Sequence, residues 1–369
     1  MRGPSRKPTD MSDNAEISSE AAPAAIADRL LDWFDVHGRH DLPWQHPRTP
    51  YRVWVAEIML QQTQVATVID YFNAFMARFP DVHSLAAADS DTVMAYWAGL
   101  GYYARARNLH AAARVVAETY DGEFPRDVET LITLPGIGRS TAGAVVAQAF
   151  GVWAPILDGN AKRVIARVAG VTATPGTSAY ENRLWPLAER YTPAERVTDY
   201  TQAIMDLGAT LCTRRRPACA RCPLAGDCIA YRDDRQEQIP APRKKKKRSE
   251  RHTAMLVIED ERGRVLLEKR PPSGIWGGLW SLPEMDPEQA IAAFCGERFG
   301  IEVAETRRLA PMSHGFTHFL LQIQAYRVQA RAGTRIMDDQ TAWFTREARP
   351  GVPAAIARLL DTPQSDLNL

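Results

Sequence analysis

No apolar run in this chain is long enough to cross a bilayer as a helix. The longest candidate, from Thr141 to Leu157, is Ala/Gly-rich and interrupted by Gln148 and Pro155, so it reads as a buried helix and its exit. The first residues are polar and lack the apolar core of a signal peptide, which makes a soluble, intracellular protein the expectation. Excess charge is also missing. A net charge of +1 over 369 residues neither demands nor excludes a polyanionic partner, so any nucleic-acid binding must come from local clusters. Cysteine is scarce, with five residues, and four of them crowd between Cys212 and Cys228. A secreted disulfide framework would spread them out. There is no internal repeat and no convincing strand alternation before residue 250, so the first two thirds should be all-α.

The clustered cysteines are the strongest chemical signal. Cys212, Cys219, Cys222 and Cys228 form Cys-x6-Cys-x2-Cys-x5-Cys on one loop stiffened by Pro217 and Pro223. Four thiolates suit zinc or an iron–sulfur cluster. A zinc ribbon uses two C-x2-C knuckles, and only Cys219/Cys222 has that spacing, which favours a cubane cluster. Cys295 stands alone.

Residues 1–23 are aperiodic and rich in Ser, Pro and charge, the composition of a disordered leader. Ile26, Leu30, Leu31 and Phe34 mark a first amphipathic helix over Ala24–His37. Tyr51–Met76 reads as one long helix, with Glu57, Gln61 and Gln64 spaced four and three apart and so on one face. Further helices fit Val82–Ala88, Thr92–Gly99, Arg105–Tyr120, Val128–Leu134, Ala161–Val168, Tyr180–Tyr191 and Val197–Leu211. A basic run, Arg243–Arg248, follows Pro240 and Pro242 and marks a linker over residues 233–251. It is a solvated tether or a phosphate contact, and the two are compatible. Beyond it, His252–Glu259 and Arg264–Lys269 flank Asp260–Gly263 as a β-hairpin. Phe319–Val328 is another strand, and Pro287–Phe299 and Pro353–Leu360 are helical. This is a separate α+β domain over residues 252–363, with a tail at 364–369.

Leu134-Pro135-Gly136-Ile137-Gly138 is a turn between two helical patterns. It lacks the GxGxxG spacing and no strand precedes it, so it is not a dinucleotide fingerprint. A helix–hairpin–helix fits better, with Leu134 and Ile137 buried and the amides of Gly136 and Gly138 aimed at a phosphate, although mere helix punctuation is the plainer alternative. Two carboxylates stand out. Glu57 could be an ordinary solvated helix residue, and Asp158 an N-cap for the helix near Asn160. Together they suggest cleavage of a glycosidic bond, in which one carboxyl protonates the leaving group and the other stabilises an oxocarbenium-like centre.

WVAEIMLQQTQVATVIDYF, GLGYYARARNL, LPGIGRSTAGAVVAQAFG, ILDGNAKRV, MDLGATLC, the four-cysteine loop and RPPSGIWGGLWSLPE jointly resemble the adenine DNA glycosylases, the MutY family of helix-hairpin-helix base-excision enzymes. The resemblance covers roughly residues 25–345. It implies a mainly α helix-hairpin-helix glycosylase: a six-helix barrel over 42–151, a [4Fe-4S] helical module over 24–41 and 152–232, and a Nudix-like α+β C-terminal domain. The family removes adenine mispaired with 8-oxoguanine or guanine in duplex DNA, and a monomer is expected. By resemblance Glu57 is the acid that protonates N7 of a flipped adenine, and Asp158 supports the sugar cation before water attacks. Gln202 would contact the adenine edge, Tyr102 would intercalate near the lesion, and Gln62 would fill the vacated stack. Endonuclease III-like lyases carry a Lys nucleophile where this chain has Ser140, whose hydroxyl cannot form an imine, so a monofunctional enzyme is expected. The acidic helix of a working Nudix hydrolase is absent around Glu284–Ile301. The family's lesion-sensing Phe-Ser-His turn reads Phe316-Thr317-His318 here, keeping the hydroxyl donor and adding a methyl. The alternatives are a glycosylase/lyase for oxidised pyrimidines and a catalytically silent DNA-damage binder.

Overall fold

The computed structural model describes residues 23–242, 248–331 and 340–361. The leader before Pro23, most of the basic run (243–247) and the tail at 364–369 lie outside the described residues. In chain order the helices are α1 Pro23–His37, α2 Pro50–Leu60, α3 Val65–Arg78, α4 Val82–Ala86, α5 Ser90–Trp97, α6 Ala104–Thr119, α7 Val128–Leu131, α8 Arg139–Phe150, α9 Gly159–Val168, α10 Ser178–Tyr191, α11 Val197–Thr210, α12 Ile229–Arg232, α13 Ile291–Phe299 and α14 Ala354–Asp361. The strands are β1 Ser249–Glu259, β2 Val265–Lys269, β3 Trp280–Ser281, β4 Glu284–Met285, β5 Val303–Arg308, β6 Met312–Gly315, β7 Phe319–Ala330 and β8 Thr341–Phe344. The described residues form two compact units. One joins the chain before Asp41 to the stretch from Gly151 up to the linker; the other joins Asp41–Phe150 to the chain beyond the linker.

In the first unit α1 buries Ile26, Leu30, Leu31 and Phe34, the stripe expected from its periodicity, and packs on α10 and α11. Helix α9 lies against α11 so closely that a Cβ on Gly208 would stand 2.6 Å from that of Asn160. In the second unit Trp54, Phe72, Phe75, Phe79 and Trp97 are essentially fully buried, each contributing about 1.5–3 kcal/mol by leaving water.

The single helix expected over Tyr51–Met76 is two. Helix α2 ends at Leu60 and α3 starts at Val65, with Gln62 between them at φ 62° in the left-handed region. Gln61 is therefore the C-cap of one helix and Gln64 the N-cap of the next, so Glu57, Gln61 and Gln64 do not share one helical face. The break is stabilised from outside. The buried guanidinium of Arg105 donates to the carbonyls of Ile58 (2.9 Å), Met59 (2.7 Å) and Gln61 (2.5 Å), acceptors that a helix end leaves unsatisfied.

The C-terminal part of this unit is an eight-stranded sheet with the path β3-β2-β1-β7-β5. β1 and β2 form the expected antiparallel hairpin, but β1 starts at Ser249, inside the expected linker. Its other neighbour, β7, runs parallel to it from Ser249↔Phe319 to Glu259↔Gln329. From Thr253 onward β1 is buried at every position, as a strand covered on both faces must be. Helix α13 starts at Ile291 rather than Pro287 and packs Phe294, Cys295 and Phe299 against Leu256, Ile258 and Leu266. The RPPSGIWGGLWSLPE segment is tied to the helices of its own unit. Arg107 on α6 donates to the Gly277 carbonyl (2.6 Å), and Asp91 on α5 meets Lys269 (2.7 Å) and the Trp280 indole (3.3 Å).

Candidate functional site

The two carboxylates fall in different units, and each has its own surroundings. Glu57 sits on α2 among Trp54, Val55, Ala56, Ile58 and Met59, all buried, and is itself half-buried. Gln148 on α8, 3% exposed, donates its Nε2–H to Glu57 Oε1 at 2.9 Å. A second tie between the same helices runs from Gln61 Nε2 to Thr141 Oγ1 at 3.4 Å. Helix α8 begins at the LPGIG turn. Leu134 and Ile137 are buried as expected, and the Ile137 N–H closes the turn on the Leu134 carbonyl. Gly136 has φ +77°, and a Cβ there would stand 2.7 Å from Asn108 Cβ, so both backbone conformation and space demand glycine. Gly136 and Gly138 are exposed, and Ser140, in the first turn of α8, is half-buried.

Gln62 and Tyr102 both occupy left-handed backbone, at φ 62° and 50°, and both are exposed. One buried residue holds the two turns. Besides the α2 carbonyls, Arg105 donates to Thr63 Oγ1 (3.2 Å), Leu100 O (3.4 Å) and Gly101 O (3.2 Å), and its guanidinium lies 5.3 Å from the Tyr102 ring centroid. Burial pushes its pKa down to about 10, still charged at neutral pH. Sequence reasoning missed Arg105 and Gln148. Arg105 looked like one more arginine on an amphipathic helix, and Gln148 like an interruption in an Ala/Val run. The available signal was a polar side chain at a position the helical period turns inward.

In the C-terminal part, Phe316–His318 forms the turn between β6 and β7, with Thr317 and His318 exposed. Phe316 stacks on Phe319 (4.6 Å between centroids) and lies 5.6 Å from Trp276, which also meets His314 at 5.5 Å. A rigid aromatic base thus presents the hydroxyl and imidazole.

In the other unit Asp158 is the N-cap of α9, accepting from Ala161 N–H at 2.7 Å. The plain capping role is therefore real. Burial nevertheless raises its pKa above the ordinary aspartate value, against the opposing pull of the Ala161 and Asn160 N–H groups and the charges of Arg163 and Lys162. An aspartate whose cap bonds stabilise the anion, yet which is still destabilised overall, is short of compensating positive charge. Gln202 lies on α11. It is 3% exposed, and its amide nitrogen donates to Asp206 Oδ1 at 2.7 Å. Asp206, itself buried, also receives the backbone N–H of Arg39 (2.7 Å) and its guanidinium (2.9 and 2.6 Å), so part of the Gln202 amide is committed to a structural ion pair.

The four clustered cysteines line one small pocket with Arg167, Leu211, Ala225, Tyr231 and Gln236, and no carboxylate borders it. Among the described residues no three His, Cys, Asp or Glu side chains converge tightly enough for a single ion. Four thiols around one space are the donor set that an iron–sulfur cluster takes. Burial pushes the Cys222 thiol up to about 12 and raises Cys219 and Cys228, so cations must supply the charge that favours thiolates. Arg167 donates to Cys212 Sγ at 3.2 Å. Arg214, Arg215, Arg216 and Arg221 are exposed around the loop. No helix among the described residues is long and apolar enough to cross a membrane.

Comparison with known proteins assigns these stretches independently. Residues 55–190 match the HhH-GPD superfamily of base excision DNA repair proteins, 212–228 the iron–sulfur binding domain of endonuclease III, and 254–362 the NUDIX domain. An adenine DNA glycosylase of Buchnera aphidicola subsp. Schizaphis graminum is 37% identical over 80% of this chain and 84% of its own length. The Homo sapiens adenine DNA glycosylase is 34% identical over 94% of this chain and 76% of its own. Among solved structures, a thermostable thymine-DNA glycosylase superposes with a TM-score of 0.51 at 30% identity, covering 57% of this chain and 97% of that one.

Proposed function

Because this chain belongs to the adenine DNA glycosylases, a family that hydrolyses the N-glycosidic bond of adenine in DNA, we propose that Glu57 and Asp158 divide that reaction between them and that the adenine it removes lies opposite 8-oxoguanine or guanine. The target adenine must leave the stack before its glycosidic bond can be reached. Glu57 gives its proton to N7, so that the base departs from C1′ as a neutral molecule rather than an anion. Positive charge then develops on the sugar, and the Asp158 carboxylate stabilises it until water adds. The observation that carries this reading is the desolvated cap of α9. An anion already short of compensation gains most when a cation forms beside it.

The other residues supply binding. The exposed amides of Gly136 and Gly138 grip a phosphate, as does the arginine-rich rim of the cysteine loop. Tyr102 intercalates and Gln62 fills the emptied stack, both presented by the turns that Arg105 holds. Gln202 reads the adenine edge with what its Asp206 bond leaves of the amide. Thr317 and His318 meet the oxidised guanine. Ser140 offers a hydroxyl where a lyase would need an amine, so release is hydrolytic and borohydride should trap no covalent DNA adduct. The chain carries a [4Fe-4S] cluster, held by Cys212, Cys219, Cys222 and Cys228, which when bound cross-links the loop through four iron–thiolate bonds. The enzyme works as a monomer on chromosomal DNA inside the cell.

The test is single-turnover base release from matched duplexes carrying A opposite 8-oxoguanine, G, C or T. Release from the first two, with little from the others, is expected. Equal release from all four would remove the lesion-reading role of the C-terminal domain. Glu57→Gln should bind the duplex and slow adenine release by about 10²–10⁴-fold.

A further inference from the structure

We infer that Gln148 is a positioning residue for Glu57, whose buried amide holds the carboxyl in place through Oε1 and stabilises the carboxylate left when the proton departs. The inference rests on the reading of Glu57 as the proton donor. Its geometry is direct: Gln148 Nε2 lies 2.9 Å from Glu57 Oε1, and Gln148 is 3% exposed on a helix whose other inward positions are Ala, Gly and Val. A carboxyl oxygen accepts an N–H more strongly when it carries no proton, so the bond holds the Glu57 carboxyl in one orientation and favours its ionised form.

The bond also changes strength during the reaction in the useful direction. When the proton leaves for the base, negative charge spreads over both oxygens, and a hydrogen bond to a carboxylate is stronger than one to a neutral acid. Gln148 therefore helps Glu57 most in the state the reaction has to reach. A packing role does not explain a glutamine here. Its own Oε1 is buried with no hydrogen-bond partner among the described residues, an unmet acceptor that an apolar residue of the same size would avoid. The fold tolerates that defect at the position that touches Glu57.

The experiment uses the full-length, cluster-containing protein and an A:8-oxoguanine duplex. Gln148→Met keeps length and volume and removes the donor. Adenine release at saturating enzyme should slow by about tenfold, the effect of losing one hydrogen bond to a charged group, while duplex Kd and Tm stay at wild-type values. In a Glu57→Gln background the same change should have no further effect on the residual rate, since a positioning residue acts only through the group it positions. Release at the wild-type rate by Gln148→Met, or an equal loss in both backgrounds, overturns the inference. If Met lowers Tm, Gln148→Leu decides by the same criteria. A Glu57→Gln enzyme that turns over normally would instead remove Glu57 from the acid role, a failure of the underlying reading that this design separates from failure of the inference.

Discussion

Asp81 and Asp158 do the same local job in different surroundings. Each caps a helix by accepting a backbone N–H at 2.7 Å, from Ser84 and from Ala161. Asp81 is exposed, and its backbone bond to Ser84 holds its carboxyl below the ordinary value. The caps Asp89 and Asp127 behave likewise. Asp158 alone among these four is raised, because burial outweighs the same kind of cap bond. The cap bond and the chemical role proposed for Asp158 are therefore compatible. The cap fixes the carboxylate in place, and desolvation disfavours its anion, which a neighbouring cation would relieve.

That contrast can be broken or sharpened by mutation, taking the largest effect first. Asn caps a helix about as well as Asp, so Asp158→Asn should fold normally yet release adenine about 10²–10³-fold more slowly in single-turnover assays. Next is pH. The anion is the useful form, so base release should fall on the acid side as pH drops through the Asp158 pKa, which lies above the 3.8 of an ordinary aspartate. Lys162, whose charge favours the anion, sharpens the point: Lys162→Met should move that acid limb to higher pH. Stability carries the opposite signs at the two kinds of cap. With a raised folded pKa, Asp158 makes the protein less stable as pH rises through the window above 3.8, and it continues to cost stability at neutral pH. Asp158→Asn should therefore leave Tm unchanged or raise it. Asp81, with a lowered folded pKa, contributes above 3.8 and loses that contribution as pH falls through its folded value. The smallest effect is Asp81→Ala, expected to cost about 1 kcal/mol in denaturant unfolding and to leave base release untouched.

What was legible in the sequence was mostly local. The cysteine spacing, the buried Leu134 and Ile137 of the LPGIG turn, the α1 stripe and the β1–β2 hairpin each depend on residues within a few positions of one another. The break between α2 and α3 was not legible, because it is held by Arg105, 44 positions from Gln61. The burial of Gln202 was hidden for a similar reason, since it depends on Asp206 and, through it, on Arg39. The parallel pairing of β1 with β7 joins strands separated by most of their domain, and no local pattern announces it. Glu57 and Asp158 stood out as residue types in recognisable motifs, but their partners, Gln148 for one and the Ala161 N–H of α9 for the other, came only from the fold.

The most direct test of the account is adenine release by Asp158→Asn from an A:8-oxoguanine duplex, measured beside duplex affinity and Tm on the same cluster-containing preparation. Retained binding, an unchanged or higher Tm, and release slowed by about 10²–10³-fold are expected. Release within a few-fold of the wild-type rate would contradict the account, leaving Asp158 as a helix cap like Asp81.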